Sequence, residues 1–206
     1  MGEIKGILLT AWTTFLRNRY GDRAVSDVME KLSAEDRDAL PFSFLPSSWY
    51  PYDTLHNLRM LTRQLAKPTE EHLSVEIGRF MAEHVFTGVY WAFLTKDPIK
   101  QVQQFPRIGD FFFHEARKLD TQILGESRCL VRYRYESGIS PTHSICESLT
   151  GFWSRTLELA GACAVKSSHP KCTADGAECC EFTFEWEAAK ALGHAQTKRL
   201  GNTSAL

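Results

Sequence analysis

The chain has 206 residues, 43% of them hydrophobic and 24% charged, the composition of a globular protein with one sizeable core and little room for two full domains. Its formal net charge is −1 and its basic residues are scattered, which excludes an electrostatic grip on nucleic acid. No apolar run reaches the roughly 18 residues of a membrane span, and the N-terminal MGEIKGILLTAW has neither the basic start nor the cleavage site of a signal peptide. A cytoplasmic protein is expected, whose six cysteines are thiols or metal ligands rather than a disulfide framework.

IKGILL, residues 4–9, is a short apolar start, a strand or the first turn of a helix that runs through Thr13 to Arg19. Gly21-Asp22 opens an amphipathic helix with Val25, Val28, Met29 and Leu32 at helical spacing, and Ser33 caps one more short turn. PFSFLPSSWYPYDT, with three prolines and no helical period, reads as extended chain or loop that ends at Asp53, an N-cap. Leu55, Leu58, Leu61, Thr62 and Leu65 mark the next helix, closed before Pro68. Thr69 opens the longest helical stretch, with Leu73, Ile77, Phe80, Met81, His84 and Val85 on one face and a break at Gly88 before Leu94. Asp97-Pro98 caps a short helix, and another is expected from Phe105 to Lys118.

After Leu119 the pattern changes. TQILGESRCLVRYRYES reads as two strands joined at Gly125-Glu126, with Cys129, Val131, Tyr133 and Tyr135 alternating against Leu130, Arg132 and Arg134. Pro141 starts a strong helix from Thr142 to Ala160, ended by Gly161. CAVKSS and CCEFTFEW form a second hairpin, and residues 188–206 a flexible tail. The expected fold is α/β of the α+β kind: a helical N-terminal half packed on a small antiparallel sheet of two hairpins flanking a long helix. It is read as one domain over residues 1–187.

Three cysteines fall together on these elements. Cys146 lies on the stripe Cys146, Leu149, Thr150, Trp153, Leu157, the 3–4 spacing of a buried helix face. Strand alternation puts Cys180 with Phe182, Phe184 and Trp186 on the core side, and Cys179 with Glu181, Thr183 and Glu185 on the other. Cys172 sits in the hairpin loop, with His169 just before it. A helix packed on this hairpin brings three thiolates and an imidazole together, the donor set of a closed tetrahedral zinc site. The competing readings are plain buried thiols and a Cys172–Cys180 disulfide.

The order of elements, with CESLTGFWSRTLELAGA on the helix and HPKCTADGAECCEFTFEW on the hairpin, resembles the vinyl-reductase sensor domain of the nitric-oxide-signalling and Golgi-transport ligand-binding superfamily. Over residues 5–187, with GILLTAWTTFLRNRYGDRA, LPSSWYPYDTL and MAEHVFTGVYWAFL, the chain is also similar to a paralogous myxobacterial family of unknown function. In the aromatic-sensing members, zinc is held by a helix cysteine, an acid and two cysteines around the hairpin. The resemblance carries this onto Cys146, His169, Cys172 and Cys180, with His169 where those sensors use a glutamate; the steps of 26 and 8 residues between the cysteines agree. It also implies a small apolar pocket between the helical half and the sheet. A homodimer is expected through Ile4–Phe15, a segment apolar on more than one side, as in the resembling sensors.

FFFHEARKL and HVFTGVYWAF are dense in rings. Candidates for a pocket of apolar walls and a few polar groups are His84, Trp91, Phe111, His114, Tyr133 and Trp153, with core filling the competing reading of each ring. The pocket is expected beside Trp153, between the Thr142–Ala160 helix, the first hairpin and the ring-rich helices. Distant relatives bind nitric oxide through haem, held by a proximal histidine and a tyrosine–serine–arginine trio. YRYES over Tyr133–Ser137 lacks that trio, so haem is not expected. There is no Gly-rich phosphate loop, nucleophile elbow or HExxH motif, so no enzyme is expected. The function read from the sequence is a non-catalytic sensory or adaptor domain. It binds a small apolar or aromatic ligand beside structural zinc and signals through protein contacts. The alternative is a purely structural interaction protein with no exchangeable ligand.

Overall fold

In the computed structural model, which describes residues 2–187 apart from 39, 42, 66–69, 71, 137–138 and 140–141, the chain begins with strand β1 (Glu3–Lys5) and turns directly into helix α1 (Gly6–Tyr20). The expected tail over residues 188–206 lies outside the described residues. Ile4, Ile7, Leu8, Leu9, Trp12 and Phe15 are all buried, and α1 packs against α2 (Arg23–Met29), α4 (Tyr52–Leu65) and α5 (Leu73–Thr87). The apolar segment that suggested a dimer contact is therefore covered from within the chain. Trp12 is held there by its indole N–H, which donates to Thr62 Oγ1 at 3.0 Å.

Between α2 and α4 come the short helix α3 (Ala34–Asp38) and strand β2 (Trp49–Pro51). Ser33 caps α3 as expected, its hydroxyl accepting the Asp36 N–H at 3.0 Å. Strand β1 lies between β2 and β3 (Phe113–His114), antiparallel to both, in a three-stranded sheet that the sequence did not reveal.

The helix expected over residues 105–118 is corrected. Asp97 caps one continuous helix α6 (Pro98–Phe112), its carboxylate accepting the N–H groups of Ile99 at 2.9 Å and Lys100 at 3.2 Å. Pro98 sits at the first position, where a missing N–H costs nothing. The chain leaves the helix at Phe113 because β1 offers it a sheet edge, and Glu115 then redirects it with a φ of 48°. Such a partner is remote in sequence, and helical periodicity does not report it.

The second sheet has the order β4-β5-β7-β6, all antiparallel, built from β4 (Arg117–Gly125), β5 (Arg128–Tyr135), β6 (Cys163–Lys171) and β7 (Cys180–Glu187). Helix α7 (His143–Leu159) runs between the two hairpins. Tyr133 stands opposite Cys180 and Val131 opposite Phe182, all four buried. The fold class is the expected one: a mixed α and β chain in which a helical half packs on a sheet of two hairpins around a long helix.

One contact fixes how α5 lies on α7. A Cβ on Gly78 would stand 1.9 Å from the Ser148 carbonyl oxygen, and one on Gly151 would stand 2.1 Å from that of Val75. The two backbones touch where neither helix has a side chain. This close approach sets Met81 of α5 against the face of α7 that carries Ser148 and Leu149. Arg79 of α5 adds a two-pronged ion pair to Glu158 of α7, at 2.9 and 2.7 Å. Among the described residues no helix is long and apolar enough to cross a membrane.

Candidate functional site

Helix α7 carries two neighbouring features, a thiol cluster at its first turn and a polar-lined cavity along the next. The thiol cluster forms because three elements end together. Cys146 is on the first turn of α7, Cys180 opens β7, and Cys172 follows the last residue of β6. The loop between Cys172 and Cys180 is held by the Cys172 carbonyl, which accepts the N–H groups of Asp175 at 3.0 Å and Ala177 at 3.1 Å. Gly176 closes the turn with a φ of 88°, a left-handed value suited to glycine.

Cys146 Sγ lies 3.7 Å from Cys172 Sγ and 3.7 Å from Cys180 Sγ. A disulfide would need about 2.05 Å. A tetrahedral zinc with Zn–S bonds of about 2.3 Å has sulfur–sulfur edges of about 3.8 Å. The observed spacing is that of ligands around a metal, and all six cysteines are free. His169 completes the group: its ligand atom and the three sulfurs all lie within 4.8 Å of one another. Its ring stacks on Phe182 with centroids 4.2 Å apart and planes 7° from parallel, and its buried Nε2 has no hydrogen-bond partner.

Charge within the cluster is already uneven. Cys180 receives hydrogen bonds from the Thr173 backbone N–H at 3.2 Å and from the Thr173 hydroxyl region at 3.1 Å. The Cys146 thiol, then these Thr173 donors, hold the Cys180 thiol down to about 3, against the effect of burial. Cys146 is driven far upward by its hydrogen bond to Cys180, then by burial. One sulfur is thus a thiolate, and the others are poised to lose their protons to a cation. Outside this shell His143 stands with Nδ1 3.9 Å from Cys172 Sγ and Nε2 3.1 Å from Asp175. The sequence reading missed His143, Thr173 and Asp175; the only signal was their closeness in sequence to the cysteines.

The second feature is a cavity of about 30 Å³ enclosed by α1, α4, α5 and α7 with β3 and the start of β4. Its apolar walls include Leu8, Leu55, Met81, Phe113 and Leu149. Its polar groups are Tyr52, His56, Arg59, Arg117 and Ser148. Tyr52, His56 and Arg59 come from one face of α4, at steps of four and three residues. Four side-chain atoms here are buried without any hydrogen bond: His56 Nδ1, Arg59 Nε, Arg117 Nε and Ser148 Oγ. Ser148 is 1% exposed and Arg117 8%.

Arg117 lies over the rings of Phe113 at 3.5 Å and Tyr133 at 4.5 Å, while Arg59 donates to Met81 Sδ at 3.2 Å. Among the described residues no carboxylate forms an ion pair with either guanidinium. Burial pulls Arg59 down to about 10, with Tyr52 opposing and the like charge of Arg117 adding to the fall. It remains cationic at neutral pH. Burial also lowers His56.

None of the six residues expected in a pocket lines this cavity. Tyr133 and Trp153 are core: the Trp153 indole donates to the Tyr133 hydroxyl, and its ring lies 4.0 Å from that of Phe105. The expected cavity beside Trp153 is therefore filled, because α6 delivers Phe105 onto that face of α7. The cavity lies instead on the side of α7 that faces α4 and α5. Phe111 packs on Tyr90 and Phe93, and His84 stacks on Phe80. His114 is exposed beside Glu3 and Trp49, and Trp91 is 69% exposed. The sequence reading passed over Tyr52, His56, Arg59, Arg117 and Ser148. The i, i+4, i+7 run of polar groups through an otherwise apolar α4 stripe was the signal it left unused.

A helical half on a four-stranded sheet, with a site enclosed between them, is a ligand-binding architecture known from solved structures. No protein-family model and no curated protein matches the sequence. The fold does match. A crystal structure of an H-NOX protein from S. oneidensis in the Fe(II) ligation state superposes with a TM-score of 0.68 at 19% identity, covering 92% of this chain and 99% of that one. The Fe(II) unliganded H-NOX protein from K. algicida gives a TM-score of 0.66 at 13% identity, covering 91% and 99%. A structure described as probing the function of haem distortion in the H-NOX family gives 0.67 at 11%, covering 90% and 96%.

These matches overturn two expectations. The likeness to the vinyl-reductase sensor domain rested on the order of elements and the motifs of the C-terminal half. The fold comparison spans the helical half as well, and the architecture found is that of H-NOX proteins. Setting haem aside is likewise corrected: haem is named for structures that share this fold, and a missing motif in YRYES does not test a cavity. The donor set around this cavity fits haem, with Tyr52, His56 and Met81 of iron-ligand type and Arg59 and Arg117 suited to its carboxylates. The cavity at about 30 Å³ holds about two waters, so a macrocycle requires its walls to part.

Proposed function

We propose that this chain is a non-catalytic sensory domain. It binds a small, largely apolar molecule in the cavity between α1, α4, α5 and α7, next to a structural metal ion held by Cys146, His169, Cys172 and Cys180. The observation that carries the reading is the convergence of four partnerless polar atoms on one apolar-walled cavity. Buried polar groups are almost always paired, and an unpaired one costs about 1–3 kcal/mol. Four of them around one space are the mark of a site completed by something else. The fold is one in which solved H-NOX proteins are described by the state of their iron. If haem is the ligand, Tyr52, His56 or Met81 would hold the iron and Arg59 and Arg117 the carboxylates, and the iron would supply the gas-binding chemistry.

Three thiolates and one imidazole at tetrahedral spacing select zinc and leave it no open position, so the metal staples rather than reacts. It ties the first turn of α7 to the second hairpin. Ser148 follows Cys146 by two residues, about 3 Å along the helix axis. A ligand that parts the cavity walls therefore moves a helix anchored one step away. That shared helix is the route by which occupancy reaches the four-stranded sheet and any protein bound to it.

Native mass spectrometry of protein purified from its own host tests this reading. The expected result is a protein mass increased by one metal ion and one small organic molecule. A mass increased by the metal alone, in protein of any preparation, overturns the sensor. It would leave the second reading, a metal-stapled interaction protein with no exchangeable ligand, which the small cavity volume favours.

A further inference from the structure

The cavity's polar atoms also say what kind of molecule it takes. Two guanidiniums, Arg59 from α4 and Arg117 from β4, reach the same space from elements that meet only in the folded chain. No acid of the described residues pairs with either one. The remaining polar groups are the Ser148 hydroxyl and the His56 imidazole, each able to donate. No carboxylate lines the space, and the rest of its wall is apolar. Two like charges held together out of water, with nothing opposite, form an arrangement that is costly alone and resolved by an anion. The planar fork of arginine matches a carboxylate bidentately.

Resting on the reading that this cavity is a ligand site, we infer that its ligand is an organic acid: one carboxylate head taken by Arg59 and Arg117 within an apolar body. The space of about 30 Å³ suits the head group. The body lies along the partly exposed rim formed by His56, Arg59, Phe113 and Phe152, or parts the wall at Met81, whose unbranched side chain adapts readily. A neutral apolar molecule would leave both arginines as they are. The chemistry is shared by a free aliphatic or aromatic acid and by haem, which carries its own carboxylates.

Thermal-shift and calorimetric titrations of the full chain separate these cases. The probes are octanoate against octanol, benzoate against benzyl alcohol, and haem against its dimethyl ester, the last pair followed by visible absorption. The acids are expected to raise the melting temperature and bind at least tenfold tighter than their neutral partners. Arg59→Met and Arg117→Met should each remove that preference without lowering the melting temperature of the ligand-free protein, since each deletes an unpaired buried charge. Haem binding that the dimethyl ester does not reproduce assigns the acid to haem; binding of octanoate or benzoate without haem binding assigns it to a free acid. Alcohols binding as tightly as acids overturn the carboxylate and leave the cavity as a ligand site. Binding of no member of any pair overturns both. The acid-to-alcohol ratio is measured on the unaltered protein, so the inference stays testable if a variant fails to fold.

Discussion

Replacing one of two adjacent cysteines should unfasten the second hairpin, and replacing the other should do almost nothing. Cys180 is fully buried at the head of β7 with its sulfur 3.7 Å from that of Cys146, whereas Cys179 precedes the strand and is half-buried. A metal that binds only the folded chain stabilises it by mass action, about 4.1 kcal/mol when free metal is buffered at roughly 1,000 times its Kd. For a chain of this size each kcal/mol moves the melting temperature by about 2–4 °C. Cys180→Ser should therefore lower it by about 8–16 °C, and Cys179→Ser by about 2 °C or less, the range of an ordinary surface change. A strong chelator should bring the unaltered protein down to the Cys180→Ser value and leave that variant where it is. Elemental analysis of protein made without a histidine tag should find one zinc per chain, absent from Cys180→Ser. Equal shifts for the two variants would refute the strand facing. A chelator without effect on a zinc-free wild type would refute the metal and leave three packed thiols.

Gly151→Ala drives a Cβ to 2.1 Å from the Val75 carbonyl oxygen and must push α5 from α7, so a loss of about 2–3 kcal/mol in urea unfolding is expected, with Gly78→Ala similar. Thr62→Val leaves the buried Trp12 indole N–H without its acceptor and should cost about 1–3 kcal/mol in the same assay. Burial by itself would raise Glu158, but Arg79 and then Arg155 overcome it and hold its carboxyl below the usual range. The folded value lies below the unfolded one, so its stabilisation is present above pH ~4.3 and is lost as pH falls through the depressed folded value. The urea midpoint of Glu158→Gln should therefore lie below wild type at neutral pH and converge with it in acid. A difference that persists unchanged at low pH would mean that packing, not the ion pair, joins α5 to α7 there.

Local rules brought the metal ligands together on paper. Period-two alternation separated Cys180 from Cys179, and the 3–4 stripe put Cys146 on the buried side of α7. Both held because each depends only on which face of one element meets the core. The cavity was not legible in that way. Its arginines are 58 positions apart, and both are residues that a sequence reading assigns to the surface. Trp153 shows the difference within a single stripe. Its burial follows from the spacing, but that it meets Phe105 rather than a cavity follows from the path of α6.

What the sequence by itself determined is therefore the mixed α and β class, the two hairpins around a long helix, the Asp97 and Ser33 caps, and the side on which each cysteine lies. These are set by dihedral preference, capping and amphipathic period, all of which act within a few residues. Only the tertiary structure decided that Phe113 joins β1 instead of prolonging α6, that Gly78 and Gly151 let two backbones touch, and that Arg59 and Arg117 share one enclosed space. Each of these is a contact between segments distant in the chain. Burial patterns record that a face is covered, whereas the partner that covers it is chosen by the packing of the whole core.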